Sequence, residues 1–445
     1  MRSSISKLVT FKKEKRMKVM KSLVLVGLVL VMSVGFALNL SAADKVKIVF
    51  VRGQAAGDEQ KVMNGVFDEY MKAHPNVEVK VLEGPQSATD LLGLYLQFFQ
   101  AKSADADVLQ IDVIWPGDIA EHLVDLNQFG GADVAKEQFP AIVQNNTVKG
   151  KFVGLPYFTD AGLLYYRADL LKKYGFEGPP KTWDELEAMA KKIQEGERAA
   201  GNKDFWGFVW QGSAYEGLTC DALEWVKSNG GGSIVEPDGK ISINNEPAVK
   251  AIERAAKWVN GISPAGVTGY KEEDARNQWQ AGNAAFMRNW PYAYSIGNKD
   301  DSVIKGKFDV CPIPGAKAGQ SAATLGGWQL AVSKYSKNPE IAADVAKYMA
   351  SKEVQKIRAI QLSSLPTNMS LYKDADVLAK SPFMGRLYDV FINAVARPST
   401  ITAPKYSQVS TLFFNAVYSV LTGKAKAQPA FEELALNLED LLAKK

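Results

Sequence analysis

The alternation of strand and helix patterns near the start of the chain restricts its fold more than any other feature. β-Branched and apolar runs at 46–51, 77–81 and 108–114 predict three strands. Helical spacing of apolar residues separates them, first after Asp58 and again from 89 to 101. This β-α-β-α-β order predicts an α/β fold in which a parallel sheet carries helices on both faces. Ligands of such folds bind beyond the carboxyl ends of the strands.

Residues 1–43 differ in pattern from the rest of the chain. Eight Lys or Arg residues and one Glu precede an apolar run at 23–40, and the small residues Ser41 and Ala43 follow it. This order predicts a secretory signal peptide that is removed after Ala43, with Met17 as an alternative start. A transmembrane anchor is the competing interpretation, because a run of 18 residues is close to the shortest length that spans a membrane. The polar and glycine residues within the run favour cleavage.

Removal of this segment reverses the sign of the charge. The full chain carries a formal net charge of +4, and the loss of seven net positive charges leaves about −3. No basic stripe interleaved with aromatic residues follows, so nucleic acid is not expected as a partner. No cysteine follows the apolar run, which excludes a lipid-modified anchor at the cleavage site. The sequence therefore predicts a soluble protein that is exported to the periplasm.

The rarest residue types exclude several kinds of chemistry. The two histidines, His74 and His122, and the two cysteines, Cys220 and Cys311, lack the spacing of a zinc site or a catalytic triad. No GxxxxGK[ST] or GxGxxG segment follows a strand pattern, which disfavours nucleotide-driven work. We therefore expect no metal and no cofactor. The cysteines either pair as a disulfide in an oxidising compartment or stay buried as small apolar residues.

The 445 residues are too many for one core and predict two or three domains. Beyond residue 158, a capping box at 182–185 opens one helix and Pro339, preceded by Asn338 as a cap, opens another. The last 60 residues are mostly helical in pattern, and no internal repeat is present. Further short strands are predicted at 206–210, 284–287, 308–312 and 324–332.

Four segments stand out, three with aromatic rings beside glycine or a carboxylate and one with an arginine in a constrained turn. Each alone has an ordinary structural explanation, since tryptophan is more often part of a core than of a ligand platform. Together they predict a site for a neutral polyol, because sugar rings lie with their C–H faces on aromatic planes and their hydroxyls bond to charged groups. The segments are 154–166 with Asp160 among aromatic residues, 282–292 with its Trp-Pro-Tyr loop, Leu-Gly-Gly-Trp at 325–328, and Arg397-Pro398.

These segments, together with 179–183 and 205–212, resemble the family 1 extracellular solute-binding proteins of ABC importers, and in particular the trehalose/maltose-binding proteins. The resemblance extends over 44–445. It implies an α/β, two-lobed periplasmic-binding-protein fold of type II, in which each lobe is a mainly parallel sheet flanked by helices and three hinge crossings join the lobes. It also implies the ranges of the lobes, which are 44–158 with 309–368 for the first and 159–308 with 369–445 for the second.

The resemblance further implies which residues hold a sugar in the cleft between the lobes. It assigns contacts with sugar hydroxyls to Glu59 and Asp112 of the first lobe and to Asp160 at the hinge. The other assignments are two aromatic platforms, a glycine-rich strand start with a stacking tryptophan, an arginine, and two further candidates at a helix start. These residues are Trp290 and Tyr292; Gly326, Gly327 and Trp328; Arg397; and Tyr215 and Glu216.

The chain departs from the family pattern at 86–92. Related chains carry an arginine near the cleft there, whereas this chain has Leu91 and Leu92. Polar substitutes are nevertheless available in the same stretch, and they leave the exact sugar open. They are Gln86, Ser87 and Thr89.

The leading hypothesis is a binding protein without enzyme activity. This monomeric protein would capture a disaccharide or small oligosaccharide (trehalose-, maltose- or sucrose-like) and close about its hinge. It would then deliver the sugar to the membrane permease subunits of an ABC transporter. A secreted glycoside hydrolase is the alternative, with Asp112 and Asp160 as its paired carboxylates. A peptide or metal carrier on the same fold is a third class, disfavoured by the scarce histidines and the aromatic cleft candidates.

Overall fold

The computed structural model describes residues 45–444. The predicted signal peptide at 1–43 lies outside the described residues. Across the described part of the chain, no helix combines the length and the apolar character that crossing a membrane requires.

The described residues group into two units. The smaller unit contains 45–47 and 74–78, and the larger one contains 48–73 and 79–444. All residues of the candidate site described below belong to the larger unit.

Strands and helices alternate over the first part of the described chain, and only helices follow residue 332. The strands are β1 Val46–Arg52, β2 Val77–Glu83, β3 Val108–Asp112, β4 Thr147–Val148, β5 Lys151–Phe152, β6 Leu155–Ala161, β7 Leu163–Arg167, β8 Trp206–Val209, β9 Ala284–Asn289, β10 Phe308–Cys311 and β11 Leu325–Val332. The helices are α1 Glu59–Ala73, α2 Ala88–Gln100, α3 Pro116–Ile119, α4 Gly131–Ala135, α5 Pro140–Asn145, α6 Ala168–Lys173, α7 Trp183–Ala199, α8 Glu216–Ser228, α9 Glu246–Trp258, α10 Glu272–Gln280, α11 Ala293–Gly297, α12 Pro339–Met349, α13 Lys352–Leu362, α14 Ala375–Lys380, α15 Phe383–Arg386, α16 Tyr388–Ile392, α17 Ser399–Thr402, α18 Tyr406–Leu421 and α19 Ala427–Ala443.

Five strands form the first sheet, in the order β2-β1-β3-β11-β6. Strands β1 and β3 run parallel, as the alternating pattern at the start of the chain predicts. Strand β11 returns antiparallel between β3 and β6, with Trp328 opposite Asp112 and Gly326 opposite Asp160. This register gathers four of the predicted site residues at one end of the first sheet.

Four strands form the second sheet, in the order β10-β7-β9-β8. Strand β7 is antiparallel to both β10 and β9, whereas β8 is parallel to β9. The predicted α/β layering is present, but the expectation of mainly parallel sheets needs correction, because both sheets are mixed. Parallel neighbours such as β1 and β3 need a crossover connection, which the helices between them supply. The antiparallel strands β7, β10 and β11 instead adjoin the points where the chain passes between the sheets.

The chain passes from the first sheet to the second at Gly162 and returns between Cys311 and Leu325. Strand β10 pairs within the second sheet, although the predicted first-lobe segment starts at residue 309. Helix α13 packs on α1, while α18 and α19 pack on α8 and α9 beside the second sheet. The lobe ranges stay a prediction, because strand pairing alone does not assign the helices and loops to a lobe.

Tryptophan rings form the centre of the core beside the second sheet. Trp225 lies 5.0 Å from Trp210 and 5.5 Å from Trp258, measured between ring centroids, and Trp183 lies 5.4 Å from Trp258. All four side chains are buried. The predicted capping box is confirmed at the start of α7, where the Thr182 hydroxyl accepts a hydrogen bond from the backbone two residues beyond Trp183.

Three local details of the sequence interpretation are resolved by the structure. Strands β6 and β7 were not predicted, because nearly all of their residues are buried and no alternation of polar and apolar residues marks them. The predicted cap at Asn338 is wrong, since its side chain makes no capping hydrogen bond to α12, although Pro339 does begin that helix. Cys220 and Cys311 are both buried free thiols, which agrees with the apolar alternative.

Candidate functional site

A cavity of about 400 Å³ lies between the ends of the two sheets. Its volume is within the roughly 300–1,000 Å³ that is usual for small-molecule sites. The structure brings all of the predicted site residues together here. The residues that line the cavity include Glu59, Asp112, Asp160, Tyr215, Glu216, Trp290, Tyr292, Gly326, Gly327, Trp328 and Arg397.

Arg397 links two carboxylates that come from opposite sides of the cavity. Its Nη2 donates to Asp112 Oδ1 at 3.1 Å and its Nη1 donates to Glu216 Oε1 at 2.8 Å. Glu216 also accepts hydrogen bonds from the hydroxyls of Tyr406 and Ser410, at 2.6 and 2.5 Å. The geometry therefore makes Arg397 and Glu216 a buried framework that fixes Asp112 at the end of β3.

Burial dominates the electrostatics of Asp112. Desolvation raises the pKa of Asp112 to about 6, against the opposing effect of the nearby Arg397 guanidinium. One carboxylate oxygen also accepts a hydrogen bond from the Ile114 amide at 3.3 Å. A carboxylate held in this way accepts hydrogen bonds from ligand hydroxyls without having to reorganise.

Glu59 begins α1 and is held by two buried arginines on a single oxygen. Its Oε1 accepts from Arg358 Nη1 at 3.1 Å and lies 3.5 Å from Arg52 Nη1. Arg358 Nη1 also donates to the Tyr157 hydroxyl at 2.7 Å. The pairing of Oε1 with both arginines leaves the other carboxylate oxygen of Glu59 as the atom available to a ligand.

Asp160 ends the run of aromatic residues in β6 and lies in the cavity wall. Within the described residues, its carboxylate has no hydrogen-bond partner. Burial raises the pKa of Asp160 well above its usual range, an effect that Arg358 and Arg288 oppose and Asp112 and Glu59 reinforce. The Asp160 side chain is partly exposed to the cavity and its carboxylate is free to accept, so Asp160 is suited to binding a ligand hydroxyl.

Trp290 presents its ring across a gap that only glycine leaves open. A Cβ at Gly326 would lie 2.9 Å from the Trp290 ring and 3.1 Å from Asp160 Cβ. The Arg288 guanidinium lies 3.9 Å from the ring centroid on β9. The Tyr165 hydroxyl donates to the Trp290 carbonyl at 2.7 Å, which fixes the start of the loop. The ring is therefore packed in place before any ligand arrives.

Gly327 and Trp328 complete the wall that β11 contributes. Gly327 has φ +120°, and a Cβ there would lie 2.6 Å from the Phe158 carbonyl oxygen, so only glycine fits. The Trp328 ring packs edge-on against the buried Trp115, with centroids 5.6 Å apart. The cavity thus has a second rigid indole on the side of the first sheet.

The two predicted tyrosines are bonded through their hydroxyls to neighbouring glutamates. The Tyr292 hydroxyl donates to Glu273 Oε1 at 2.5 Å, and the Tyr215 hydroxyl donates to Glu272 Oε2 at 2.7 Å. Both glutamates line the cavity themselves. The tyrosine rings are therefore held at their far ends.

The three polar substitutes at 86–92 have different environments. Gln86 lines the cavity, whereas Ser87 accepts a hydrogen bond from the amide of residue 90 and caps α2. The Thr89 hydroxyl accepts from the Glu216 amide at 3.2 Å. Leu91 and Leu92 are buried, which leaves Gln86 as the substitute that faces a ligand.

Sequence reasoning missed several cavity residues. Arg358 lies in the middle of α13, where a basic residue is typical of a solvated helix face. Glu272 and Glu273 occupy the first turn of α10, where acidic residues are favoured by the helix dipole alone. Lys299 lines the cavity from beyond α11 and pairs with Asp58 at 2.8 Å. None of these positions carries a local sequence signal that separates a site residue from an ordinary one.

Burial raises the pKa of both Asp112 and Asp160, the two carboxylates that the glycosidase alternative would pair. Among residues 45–444, no cluster of three or more His, Cys, Asp or Glu is arranged to hold a metal ion. The arrangement is suited to binding hydroxyls between aromatic faces.

Comparison with known proteins gives a consistent result. The model of the bacterial extracellular solute-binding proteins matches residues 56–356. A probable ABC transporter-binding protein of Deinococcus radiodurans is 53% identical over 406 residues, which cover 91% of this chain and 96% of the relative. The maltodextrin-binding protein MdxE of Bacillus subtilis is 24% identical over 85% of this chain and 89% of its own.

A solved structure extends this likeness to three dimensions. Maltose-bound MalE3 of T. maritima superposes with a TM-score of 0.84 and is 41% identical, with 89% of this chain and all of that chain covered. The predicted α/β, two-lobed fold of type II is thereby confirmed.

Proposed function

Because the chain belongs to the bacterial extracellular solute-binding proteins, we propose that it captures a neutral disaccharide in the described cavity and delivers it to an ABC importer. Membership of this family gives a sugar-binding component of an importer as the general function. The identity of the ligand, its binding residues and its route are the proposal.

One juxtaposition carries the sugar assignment. Gly326 leaves the space in which the Trp290 ring and the Asp160 side chain approach each other in the same cavity wall. A sugar ring satisfies both at once, because its C–H face lies on the indole while its hydroxyls donate to the carboxylate. Glu59 and Asp112 supply further acceptors from the first sheet, and Tyr292 supplies a second ring.

The charge of the cavity supports a neutral ligand. Seven carboxylate residues and three cationic ones line it, and the cations Arg358, Arg397 and Lys299 are paired with Glu59, Asp112 and Asp58. A sugar acid or sugar phosphate would meet net repulsion there. Since MalE3 is a maltose-bound protein at 41% identity, we propose a trehalose-, maltose- or sucrose-like disaccharide.

Delivery follows from closure of the two lobes. In this proposal the lobes are 44–158 with 309–368 and 159–308 with 369–445, and three crossings act as the hinge. The sugar stabilises the closed form because both lobes contact it only in that form. The permease subunits recognise the closed form, and their partner ATPase supplies the energy. The protein acts as a periplasmic monomer after cleavage behind Ala43, without enzyme activity.

Isothermal titration of the purified exported protein with disaccharides and monosaccharides tests the proposal. We expect saturable binding of one disaccharide at about micromolar Kd or tighter, lost in Trp290→Ala. The control is Trp206→Ala, since Trp206 packs under the Arg198 guanidinium away from the cavity. No heat from any sugar would refute the sugar assignment. Hydrolysis of the disaccharide, abolished by Asp160→Asn, would establish the glycosidase instead.

A further inference from the structure

Two adjacent glutamates at the start of α10 each contact an aromatic residue of the cavity. Glu272 and Glu273 both line the cavity, and neither belongs to the set that the sequence predicts. Each one accepts a hydrogen bond from a tyrosine hydroxyl, Glu272 from Tyr215 and Glu273 from Tyr292. One helical turn therefore reaches two of the rings that face a ligand.

Glu273 is itself fixed from its own helix. Its Oε2 accepts from Arg276, one turn further along α10, and Arg276 Nη1 donates to Gln280 Oε1 at 2.5 Å. The opposite oxygen, Oε1, is the one that Tyr292 contacts. This chain of contacts holds the carboxylate in one orientation, so that the Tyr292 ring is tethered to a helix and not merely to a flexible side chain.

Glu272 connects α10 to the tryptophan platform by its backbone as well. Its carbonyl accepts from Asn289 Nδ2 at 3.1 Å, and Asn289 Oδ1 accepts from the Trp290 amide at 2.8 Å. Its carboxylate lies 3.5 Å from the Trp290 indole nitrogen on one oxygen and accepts from Tyr215 on the other. Asn289 thus joins the start of α10 to the end of β9, directly before Trp290.

We propose that Glu272 and Glu273 are positioning residues that hold the tyrosine and tryptophan platforms at the tilt required by a sugar ring. The inference rests on the proposed function for the identity of the ligand. Tethering both phenol rings fixes their side-chain conformations before binding, which lowers the entropic cost of ordering them when the ligand binds. It also commits each phenol proton to a glutamate, so that the phenol oxygens offer only acceptor lone pairs to the ligand.

A double-mutant cycle between Glu273 and Tyr292 tests the proposal. Glu273→Gln and Tyr292→Phe are each expected to weaken sugar binding by about tenfold, the size of one lost charge-assisted hydrogen bond. The double variant is expected to bind no more weakly than either single one, because both changes remove the same contact. Should Glu273→Gln not fold, Tyr292→Phe alone removes that hydrogen bond while Glu273 and Arg276 keep theirs.

Asp274→Asn is the matched control. Asp274 lies in the same turn, and its loss removes the same charge from the helix N-terminus, but its carboxylate accepts from the Lys271 amide at 2.9 Å away from the platforms. We expect its sugar affinity to stay within about twofold of the parent. Losses that multiply in the Glu273–Tyr292 double variant would overturn the proposal, since they would indicate that Glu273 bonds to the sugar directly.

A measurement without sugar separates this inference from the proposed function. In protein labelled with 3-fluorotyrosine, the Tyr292 signal is assigned by its absence in Tyr292→Phe. Glu273→Gln is expected to shift or broaden that fluorine resonance, while Asp274→Asn leaves it unchanged. An unchanged resonance in Glu273→Gln would refute the positioning role. Failure of the parent to bind any sugar would refute the proposed function alone.

Discussion

Alanine at Gly162 is expected to disrupt a buried ion pair at the first passage between the sheets. A Cβ at this position would lie 1.9 Å from Glu224 Oε1 and 2.6 Å from Arg288 Nη2. The same Glu224 oxygen accepts from Arg288 Nη2 at 2.6 Å and from the Thr324 amide at 3.0 Å, next to the second passage between the sheets. Glu224 and Arg288 are almost completely buried. The new methyl group and the carboxylate cannot occupy the same space.

The expected loss in the free energy of unfolding follows from separating Glu224 from Arg288. Displacing Glu224 leaves the Arg288 guanidinium without its bidentate partner inside the protein, and breaking a buried pair on one side costs about 3–5 kcal/mol. Arg288 retains Asp221 at 3.0 Å, which favours the lower end of that range. Because Arg288 also packs against Trp290, we expect sugar affinity to fall together with stability.

Urea unfolding of Gly162→Ala beside Gly65→Ala checks this reasoning. Gly65 is exposed within α1, and no atom lies close to the position its Cβ would take, so alanine there is expected to stabilise the protein by about 0.5–1 kcal/mol. Gly162→Ala should instead lower the urea midpoint clearly. A Gly162→Ala protein that unfolds at the same urea concentration as the parent would show that Glu224 is not held as described.

Three further outcomes are expected. Gly326→Ala should weaken sugar binding at least as much as it lowers stability, because its methyl group displaces the Trp290 ring; unchanged affinity in titration calorimetry would contradict this. Lys299→Met should speed sugar dissociation by up to about fivefold, because its ion pair with Asp58 is partly exposed and worth at most about 1 kcal/mol. A variant in which the two charged residues are exchanged should recover the parent dissociation rate in stopped-flow measurements. Burial raises the pKa of Asp112 from 3.8 to about 6, so its contribution to the free energy of unfolding should fall as the pH rises between these values. Sugar affinity should instead fall as the pH drops through about 6, because protonation removes the carboxylate that accepts from the sugar. Asp112→Asn should flatten both pH profiles.

The parts of the site that the sequence predicts are those with a distinctive local pattern. Gly326-Gly327-Trp328 and the loop with Trp290 and Tyr292 are short, unusual combinations, and the structure brings them to one cavity. Strand and helix alternation likewise predicts the first sheet up to β3, because each element there has a clear period.

The residues that were missed have functions set by distant neighbours. Arg358 is ordinary within α13, and its meaning comes from Glu59 and Tyr157, both about 200 or more residues away in the chain. Glu273 is likewise an expected residue for a helix start. Strands β6 and β7 were missed because both of their faces are covered, which removes the alternation on which a strand prediction depends.

The tryptophan cluster beside the second sheet has a consequence for optical work on this protein. Four of the buried tryptophans lie in series with neighbouring ring centroids 5.0–5.5 Å apart, which is near enough for excitation to pass between them. Their emission is expected to dominate the fluorescence and to be insensitive to sugar. Quenching of Trp290 would then appear as a small change on the red edge of a large constant signal. A probe attached at the mouth of the cavity, beside Lys299, would report sugar capture with far greater contrast.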